Sequence, residues 1–273
     1  MERQQLSTQG KNMQPSLDFV KTITRQAGDI LQSYVGEELN IEHKSRTDLV
    51  TVADHTSEKF LIESIHRAFP EHAINAEESG QWEGQAEHQW HIDPLDGTLN
   101  YAHGVPFYCV SVGYAYQGQM VLGVVYDPVR DECFYAERGK GAMLNDKPIC
   151  VSGFTDLIDC MLVTGFPNDM WDTPDDNTEN FIQFCRVSQT VRRLGSAALD
   201  MIYVAAGRLD GFWEVEIYPW DIAAGGLIVE EAGGVVTDIY GGPDFIKEPC
   251  TILCANAEIH KKMLAVLEDV RRA

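Results

Sequence analysis

The chain has 273 residues, of which 44% are hydrophobic and 23% charged, so it can bury a core of ordinary globular size. Its 42 acidic and 21 basic residues leave a formal net charge of −21, which opposes binding to nucleic-acid phosphates and to anionic membranes. The same charge would repel a phosphorylated substrate unless metal cations reversed it locally.

The cysteines and the N-terminal residues indicate the compartment. Seven cysteines, an odd number without a CxxC pair, favour reduced thiols and a cytoplasmic protein. Residues 1–14 are polar and lack the apolar core of a signal peptide, so we expect a mobile tail there. No apolar run approaches the roughly 20 residues that span a bilayer, and we expect no membrane partner.

The first part of the chain contains two predicted helices. Apolar residues at helical spacing predict the first over 16–35, and Gly36 ends it. A short extended stretch over 49–53 comes next. The second helix is predicted over about 55–69, because Pro70 cannot continue it.

The next segments predict an antiparallel sheet. Residues 107–116 alternate in character and, after a polar turn, 120–126 form an apolar run, which is typical of a β-hairpin. Residues 132–137 predict a third strand. The Gly- and Asp-rich stretch 138–148 is interpreted as a connection.

Strand and helix patterns alternate in the second half of the chain. The predicted strands are 161–164, 212–217, 235–237 and 252–255. The predicted helices are 177–187, 197–206, 220–232 and 257–270. This order predicts layered sheets and helices of the α/β class. We interpret 1–273 as a single domain whose two halves meet near 148–152.

The segment from Trp90 to Asn100 reads WHIDPLDGTLN and carries the clearest chemical signal. An apolar strand ends there in two carboxylates, Asp93 and Asp96, which as hard oxygen ligands suit Mg²⁺. A helix beginning near Gly97 would also point free N–H groups at a phosphate. Taken alone, however, a DxxDG run is also typical of a surface turn.

Three further segments contain acids that could be metal ligands but that also have ordinary structural explanations. Glu77 and Glu78 follow a short apolar stretch, where paired acids usually form a solvated edge. Asp221 and Asp54 each stand near a predicted helix start, where an aspartate commonly caps the helix.

In their order and separation these segments resemble the inositol monophosphatase family. DPLDGTLN is similar to the family's central signature, and PWDIAAGG followed by EEAGG is similar to its second. The resemblance extends from about Lys44 to Asn256. It implies a layered α/β/α/β/α sandwich, usually a homodimer, that uses two or three Mg²⁺ ions and is inhibited by Li⁺.

The resemblance also implies the metal ligands. Glu77 and Asp93, together with the backbone carbonyl of Leu95, would hold the first ion. Asp93, Asp96 and Asp221 would hold the second. Two cations in such a site neutralise the phosphate and activate water.

Asp54 and Thr98 resemble the pair that orients and deprotonates the attacking water, and Glu77 is grouped with them as catalytic. A proton can pass from Thr98 to Asp54 if the groups lie within about 3 Å of their hydrogen-bond partners. The substrate contacts that the resemblance implies are Asp96, Gly97, Thr98, Gly195, Ser196, Ala197 and Glu214.

Several of these positions have an alternative interpretation. Ser196 could equally cap a helix. Lys44 would screen charge near the site, although most lysines are solvated surface residues. Glu216 lies two residues after Glu214, so alternation would place both acids on one strand face. There Glu216 would disfavour a second anionic group on the substrate, but it also fits a surface acid.

The sequence therefore predicts an enzyme: a Mg²⁺-dependent phosphatase acting on myo-inositol monophosphate. No HxxxH, GxSxG or Walker A pattern supports a zinc enzyme, a serine hydrolase or a P-loop protein.

The alternatives within the superfamily are fructose-1,6-bisphosphatase, an NADP 2′-phosphatase and a 3′-phosphatase of adenosine bisphosphates. That last group usually has Lys after DGT, where this chain has Leu99. An alternative of another class is regulation through RNA or the transcription machinery, which the net charge opposes.

Overall fold

The computed structural model describes residues 13–37, 41–43, 49–167, 170, 173 and 176–272, with only the backbone described at 41–43. Lys44 and most of the predicted N-terminal tail lie outside these residues. Within them, the helices are α1 (Leu17–Ser33), α2 (Val52–Ala68), α3 (Thr98–Ala102), α4 (Thr178–Val187), α5 (Ala197–Ala205), α6 (Pro219–Glu231) and α7 (Ala257–Arg272).

The strands form a two-stranded ribbon and two larger sheets. The ribbon pairs β1 (Ile41–His43) with β2 (Leu49–Thr51). The large sheet contains β3 (His72–Ala76), β4 (Gly80–Trp82), β5 (Gln85–Asp96), β6 (Cys109–Tyr116), β7 (Gln119–Asp127), β8 (Glu132–Glu137), β9 (Ala142–Leu144) and β10 (Lys147–Pro148). The small sheet contains β11 (Met161–Thr164), β12 (Thr190–Arg192), β13 (Gly211–Ile217), β14 (Val235–Thr237) and β15 (Cys250–Ala255).

Strand order places the chemically informative segments at one edge. The large sheet runs β10-β9-β8-β7-β6-β5-β3-β4, and the small sheet runs β12-β11-β13-β15-β14. Strands β3 and β5 are parallel, so the acids that follow β3 and end β5 emerge at the same edge of the sheet.

The elements stack in five layers, as predicted. Helices α1 and α2 cover one face of the large sheet, and α5 and α6 lie between the two sheets. Helices α4 and α7 cover the outer face of the small sheet. The α/β/α/β/α sandwich is therefore confirmed.

Helix α6 approaches the large sheet closely because glycines face it. A Cβ at Gly123 would lie 2.7 Å from the carbonyl oxygen of Ala224, and one at Gly113 would lie 3.2 Å from its nitrogen. Real Cβ atoms essentially never come within 3.0 Å of such neighbours, so only glycine fits at Gly123. The close approach fixes the position of the helix that carries Asp221.

The apolar cluster between the sheets draws on both halves of the chain, including Val125, Phe134, Ile202, Ile222 and Ile252. The two halves thus share one apolar cluster, and the single-domain interpretation stays a prediction. None of the described helices is long and apolar enough to cross a bilayer.

Three local expectations differ from the structure. The stretch 138–148 contains the two short strands β9 and β10 rather than a plain connection. Edge strands β4 and β12, of three residues each, were not predicted, because so short a segment carries little periodicity. Helix α2 begins at Val52, earlier than predicted, because Thr51 and Asp54 form a capping box.

Candidate active site

The predicted signature forms a sharp turn from β5 into α3. Asp93 is 1% exposed, and its Oδ1 accepts a hydrogen bond of 2.9 Å from the backbone nitrogen of Leu95. Gly97 has a φ of 96°, a conformation that non-glycine residues rarely adopt. A Cβ at Gly97 would also lie 3.0 Å from the carbonyl oxygen of Phe107. The turn therefore requires glycine for two separate reasons.

Asp96 is anchored to the N-terminus of α5. Its Oδ2 accepts hydrogen bonds from Ser196 Oγ at 2.7 Å and from the backbone nitrogen of Ala198 at 2.6 Å. A helix N-terminus favours a negative charge, so this contact stabilises the carboxylate. Ser196 also caps α5 through Leu199 N at 3.4 Å, so the capping interpretation of Ser196 holds. The predicted 195–197 loop thus lies beside Asp96.

Asp54 and Thr98 meet as expected. Thr98 Oγ1 lies 3.0 Å from Asp54 Oδ1 and 2.9 Å from the carbonyl oxygen of Leu95, so its single proton can be donated to either. Asp54 Oδ2 accepts hydrogen bonds from Thr51 N at 2.8 Å and Thr51 Oγ1 at 2.6 Å. One carboxylate oxygen therefore caps α2 while the other faces the signature turn.

Glu77 and Asp221 come to the same place from two other elements. Glu77 follows β3, and its backbone nitrogen bonds to the Ile92 carbonyl at 3.3 Å, which places it beside β5. Its carboxyl is close enough to Asp93 to raise the pKa of that residue. Asp221 lies in the first turn of α6, where Oδ2 accepts from Tyr218 N at 2.9 Å, so the expected capping role is also observed.

Electrostatics show how closely these acids interact. Burial raises the pKa of Asp93 well above its ordinary value, and neighbouring charges add to this: Glu77, Asp96 and Asp221. Burial and then the charges of Asp96 and Glu77 likewise raise the pKa of Asp221. Like charges that are buried close together destabilise one another, and a cation bound among these acids would offset the repulsion.

The donor set fits Mg²⁺, which prefers hard oxygen ligands and keeps several waters. Within the described part of the chain, no three Asp, Glu, His or Cys side chains form a ready-made metal-holding group. Mg²⁺ commonly needs only one or two carboxylates together with water and substrate phosphate. The ligand roles of Glu77, Asp93, Leu95, Asp96 and Asp221 therefore stay predictions with a compatible donor set.

Glu214 lies on β13 beside this cluster, but Glu216 does not follow the expected alternation. Burial and the charge of Asp96 raise the pKa of Glu214 to about 8, and Arg193 opposes that rise. Glu216 has a φ of 52° at a bulge between Val215 and Ile217. Its exposed carboxylate accepts a 3.1 Å hydrogen bond from Thr173 Oγ1. The prediction that Glu214 and Glu216 share one strand face assumed regular alternation, and the bulge at Glu216 interrupts that alternation.

Sequence reasoning missed three residues of the site. Asn100 Nδ2 donates to the carbonyls of Phe107 and Leu194, each at 2.8 Å, and so ties the signature helix to the loop before α5. Cys109 Sγ lies 3.8 Å from Asp96 Oδ2. Asp200 is buried in α5, where a lone acid in the apolar run AALDMIYVA was the available signal.

Comparison with known proteins places this arrangement in a family. The inositol monophosphatase family model matches residues 12–272. A Pseudomonas aeruginosa protein named Nus factor SuhB is 41% identical, with 94% of this chain and 97% of that protein covered. A Synechocystis protein named inositol-1-monophosphatase is 45% identical, with 94% and 90% covered.

A solved structure agrees. The extragenic suppressor protein suhB from Bartonella henselae superposes with a TM-score of 0.87 at 39% identity, with 92% of this chain and 97% of that chain covered. The family match spans nearly all of the chain and includes every element of the site. The chain belongs to the inositol monophosphatase family.

Proposed function

We propose that this protein is a Mg²⁺-dependent phosphatase that hydrolyses a monophosphorylated polyol, with myo-inositol monophosphate as its substrate. The observation that carries the proposal is the convergence of four acids from β5, α6 and the loop after β3, directly beside the Asp54–Thr98 pair: Glu77, Asp93, Asp96 and Asp221. The similarity to a protein named inositol-1-monophosphatase supports it.

The proposed ligands are Glu77, Asp93 and the Leu95 carbonyl for one ion, and Asp93, Asp96 and Asp221 for another. When bound, Mg²⁺ supplies charge neutralisation of the phosphate and acidifies water. Because Asp96 is held by Ser196 and Ala198, its carboxylate keeps a fixed position for that role.

The chain itself provides a route for the proton of the attacking water. Thr98 donates its hydroxyl proton to Asp54 and leaves its oxygen free to accept a proton from water. Asp54 is held for this by Thr51, which bonds to its other oxygen through both backbone and side chain. The residue pair therefore acts as a positioned general base.

Substrate preference follows from the acids around the pocket. Glu214, half-buried and next to Asp96, suits a substrate hydroxyl and disfavours a second phosphate. The net charge of −21 acts in the same direction. Monophosphates should therefore be preferred to fructose 1,6-bisphosphate, NADP and adenosine 3′,5′-bisphosphate.

Phosphate release from these four classes of compound tests the proposal, measured with Mg²⁺ and after exhaustive chelation. We expect inositol 1-phosphate to give the highest kcat/KM and activity to disappear on chelation. A higher kcat/KM for a bisphosphate or NADP would overturn the substrate assignment, and full activity in chelator would overturn the metal dependence.

A regulatory role is a second candidate, because a 41% identical relative is named Nus factor SuhB. The net charge of −21 opposes direct RNA binding, so a protein partner is the better candidate. Co-purification with transcription proteins, compared between the parent protein and Asp96→Asn, would separate this role from catalysis. No stable association in either would remove the candidate.

A further inference from the structure

A cavity of about 520 Å³ lies at the β4 edge of the large sheet. Residues of β3, β4 and β5 line it, together with Pro219 at the start of α6 and the loop before β15. Within the described part of the chain, none of the proposed metal ligands or substrate contacts lines this cavity. Its size suits a small molecule, and the proposed function leaves it unused.

One polar side chain in the wall of the cavity is buried and lacks a partner. His91 is 8% exposed, and its Nδ1 has no hydrogen-bond partner among the described residues. A buried polar atom without a partner costs free energy, which a bound ligand can offset. A neutral imidazole has one acceptor nitrogen, so the His91 ring can receive a hydrogen bond from a ligand.

The other polar groups of the cavity favour a ligand with positive charge. Glu83 and Glu248 line it and are exposed, so their carboxylates stand where a ligand enters. Gln89 Nε2 donates to the Trp90 carbonyl at 3.1 Å, which leaves the amide oxygen of Gln89 as an acceptor. Lysine and arginine are absent from the described residues that line the cavity. A cation that donates hydrogen bonds therefore matches this lining.

Trp82 adds an aromatic surface to the cavity. Its side chain is 40% exposed, and its Nε1 donates to Ser79 Oγ at 2.8 Å. The ring also meets His66 edge-on, with centroids 5.2 Å apart, so the indole is held in place. An indole face attracts a cation, and Ile74 and Ile246 supply apolar surface for an alkyl chain.

The loop that carries Glu83 is fixed against β3. A Cβ at Gly84 would lie 2.5 Å from the backbone nitrogen of Ala73, closer than real Cβ atoms come, so only glycine fits there. This close approach keeps Glu83 beside the cavity.

We propose that this cavity binds a small aliphatic diamine, whose ammonium groups contact the two acids and the His91 ring and whose alkyl chain packs along Trp82. Such binding does not require phosphatase activity. Asp93 and Asp221 each lie two residues beyond a position that lines the cavity, so a bound amine would contact the elements that position these two acids.

Isothermal titration calorimetry with 1,8-diaminooctane tests this on the full-length protein. Excess Mg²⁺ and physiological ionic strength screen non-specific attraction to the acidic surface. We expect one diamine per chain, with a Kd below about 1 mM. The uncharged 1,8-octanediol has the same chain length and should bind at least about tenfold more weakly, because it lacks the charge-assisted hydrogen bonds.

Variants separate the cavity from the general charge of the surface. Glu83→Gln combined with Glu248→Gln should raise the Kd for 1,8-diaminooctane about fivefold, and Trp82→Leu about threefold. Glu258→Gln combined with Asp269→Asn makes the same change in net charge at exposed positions outside the cavity, and should leave the Kd unchanged. Thermal unfolding checks that each variant is folded.

Three results would each overturn the proposal. They are no saturable binding of 1,8-diaminooctane, an equal Kd for 1,8-octanediol, and an equal Kd in the cavity double variant and its charge-matched control. Phosphate release is not measured in these titrations, so failure of the proposed function would leave their outcome unaffected.

Discussion

Individual residues of this site carry a structural and a proposed chemical task at once. Asp54 caps α2 with one oxygen and accepts from Thr98 with the other. Asp221 caps α6 from its first turn while it interacts with Asp96 and Glu77. A capping bond restricts the carboxylate to one rotamer, so the capping and ligand interpretations of such residues do not compete.

At the same scale, Asp96→Asn should nearly abolish turnover. The amide preserves the shape of Asp96, and its oxygen can still accept from Ser196 and Ala198, but it removes the charge that a cation requires. We expect kcat to fall by about 100-fold or more, since one lost transition-state stabiliser costs about 3 kcal/mol. Phosphate release and circular dichroism measure this. Asp269→Asn, the same change on an exposed helix position, is the control. Retention of more than about a tenth of parental turnover would remove Asp96 from the mechanism.

Thr98→Val should slow catalysis with little change in KM. The methyl group cannot donate to Asp54 or to the Leu95 carbonyl, so the proton route is lost while the acids remain. General-base contributions are about 10²- to 10⁴-fold, and kcat should fall within that range. Steady-state kinetics give both constants. Thr22→Val, on the exposed face of α1, is the matched control. A large rise in KM at unchanged kcat would make Thr98 a binding residue instead.

At the scale of elements, the position of α6 depends on how closely it packs against the large sheet. The helix begins with Pro219, which suits a first helical position, and Asp221 lies in its first turn. Its closest approach is at Gly123, against the backbone of Ala224. Packing in the middle of α6 thus sets the location of a candidate ligand at its N-terminus.

Gly123→Ala should therefore reduce both stability and turnover. The added methyl would lie 2.7 Å from the Ala224 carbonyl oxygen, a backbone atom that cannot rotate away. Overpacking of this kind costs about 1–3 kcal/mol. Urea unfolding and phosphate release measure the two effects. Gly153→Ala is the control, since a Cβ there meets nothing within 4 Å. Equal stability of Gly123→Ala and Gly153→Ala would show that the position of α6 does not depend on the close contact at Gly123.

At the scale of the whole molecule, the burial of His72 makes the free energy of unfolding depend on pH. The rings of His72 and His88 stack at 4.1 Å between the large sheet and its helices, and Trp90 Nε1 donates to His72 Nδ1 at 3.1 Å. Burial, and then the charge of His88, lowers the pKa of His72 to about 4 from 6.5. As the pH falls, His72 is protonated in the unfolded chain before it is protonated in the folded protein. The contribution of neutral His72 to stability is therefore fully present above pH 6.5 and is lost as the pH falls toward 4.

His72→Phe should consequently lower the sensitivity to acid. The raised pKa values of the site acids act in the opposite direction, but they are common to parent and variant and cancel in the difference. The difference in unfolding free energy between the parent and His72→Phe should fall by about 2 kcal/mol between pH 7.5 and pH 5. The change arises over roughly 1.5 pH units, from the unfolded-state pKa of 6.5 to pH 5, at about 1.36 kcal/mol per unit. Urea unfolding at the two pH values measures it. His55→Gln, at an exposed position, is the control and should keep the pH dependence of the parent's unfolding free energy. If His72→Phe also kept that dependence, His72 would not be held neutral in the folded protein.

Local patterns in the sequence determined much of this molecule. The helices and most strands follow from apolar spacing and from breakers. The signature turn needs Gly97, because non-glycine residues rarely adopt its positive φ and a Cβ would crowd the Phe107 carbonyl. The order of the four acidic segments was sufficient to indicate the family. Short edge strands were not predictable, because three residues carry no reliable period.

Only the tertiary structure decided which acids meet and which way each one faces. Asp96 and Ser196 lie 100 positions apart in the chain, and their hydrogen bond exists because α5 begins beside the end of β5. The bulge at Glu216 depends on pairing with β15 and breaks the alternation that the sequence implies. Asp200 is a lone acid in an apolar helical run, and only the packing of α5 between the two sheets shows that it is buried. Charge interactions fall off over a few ångströms, so they depend on distances in space that sequence separation does not determine.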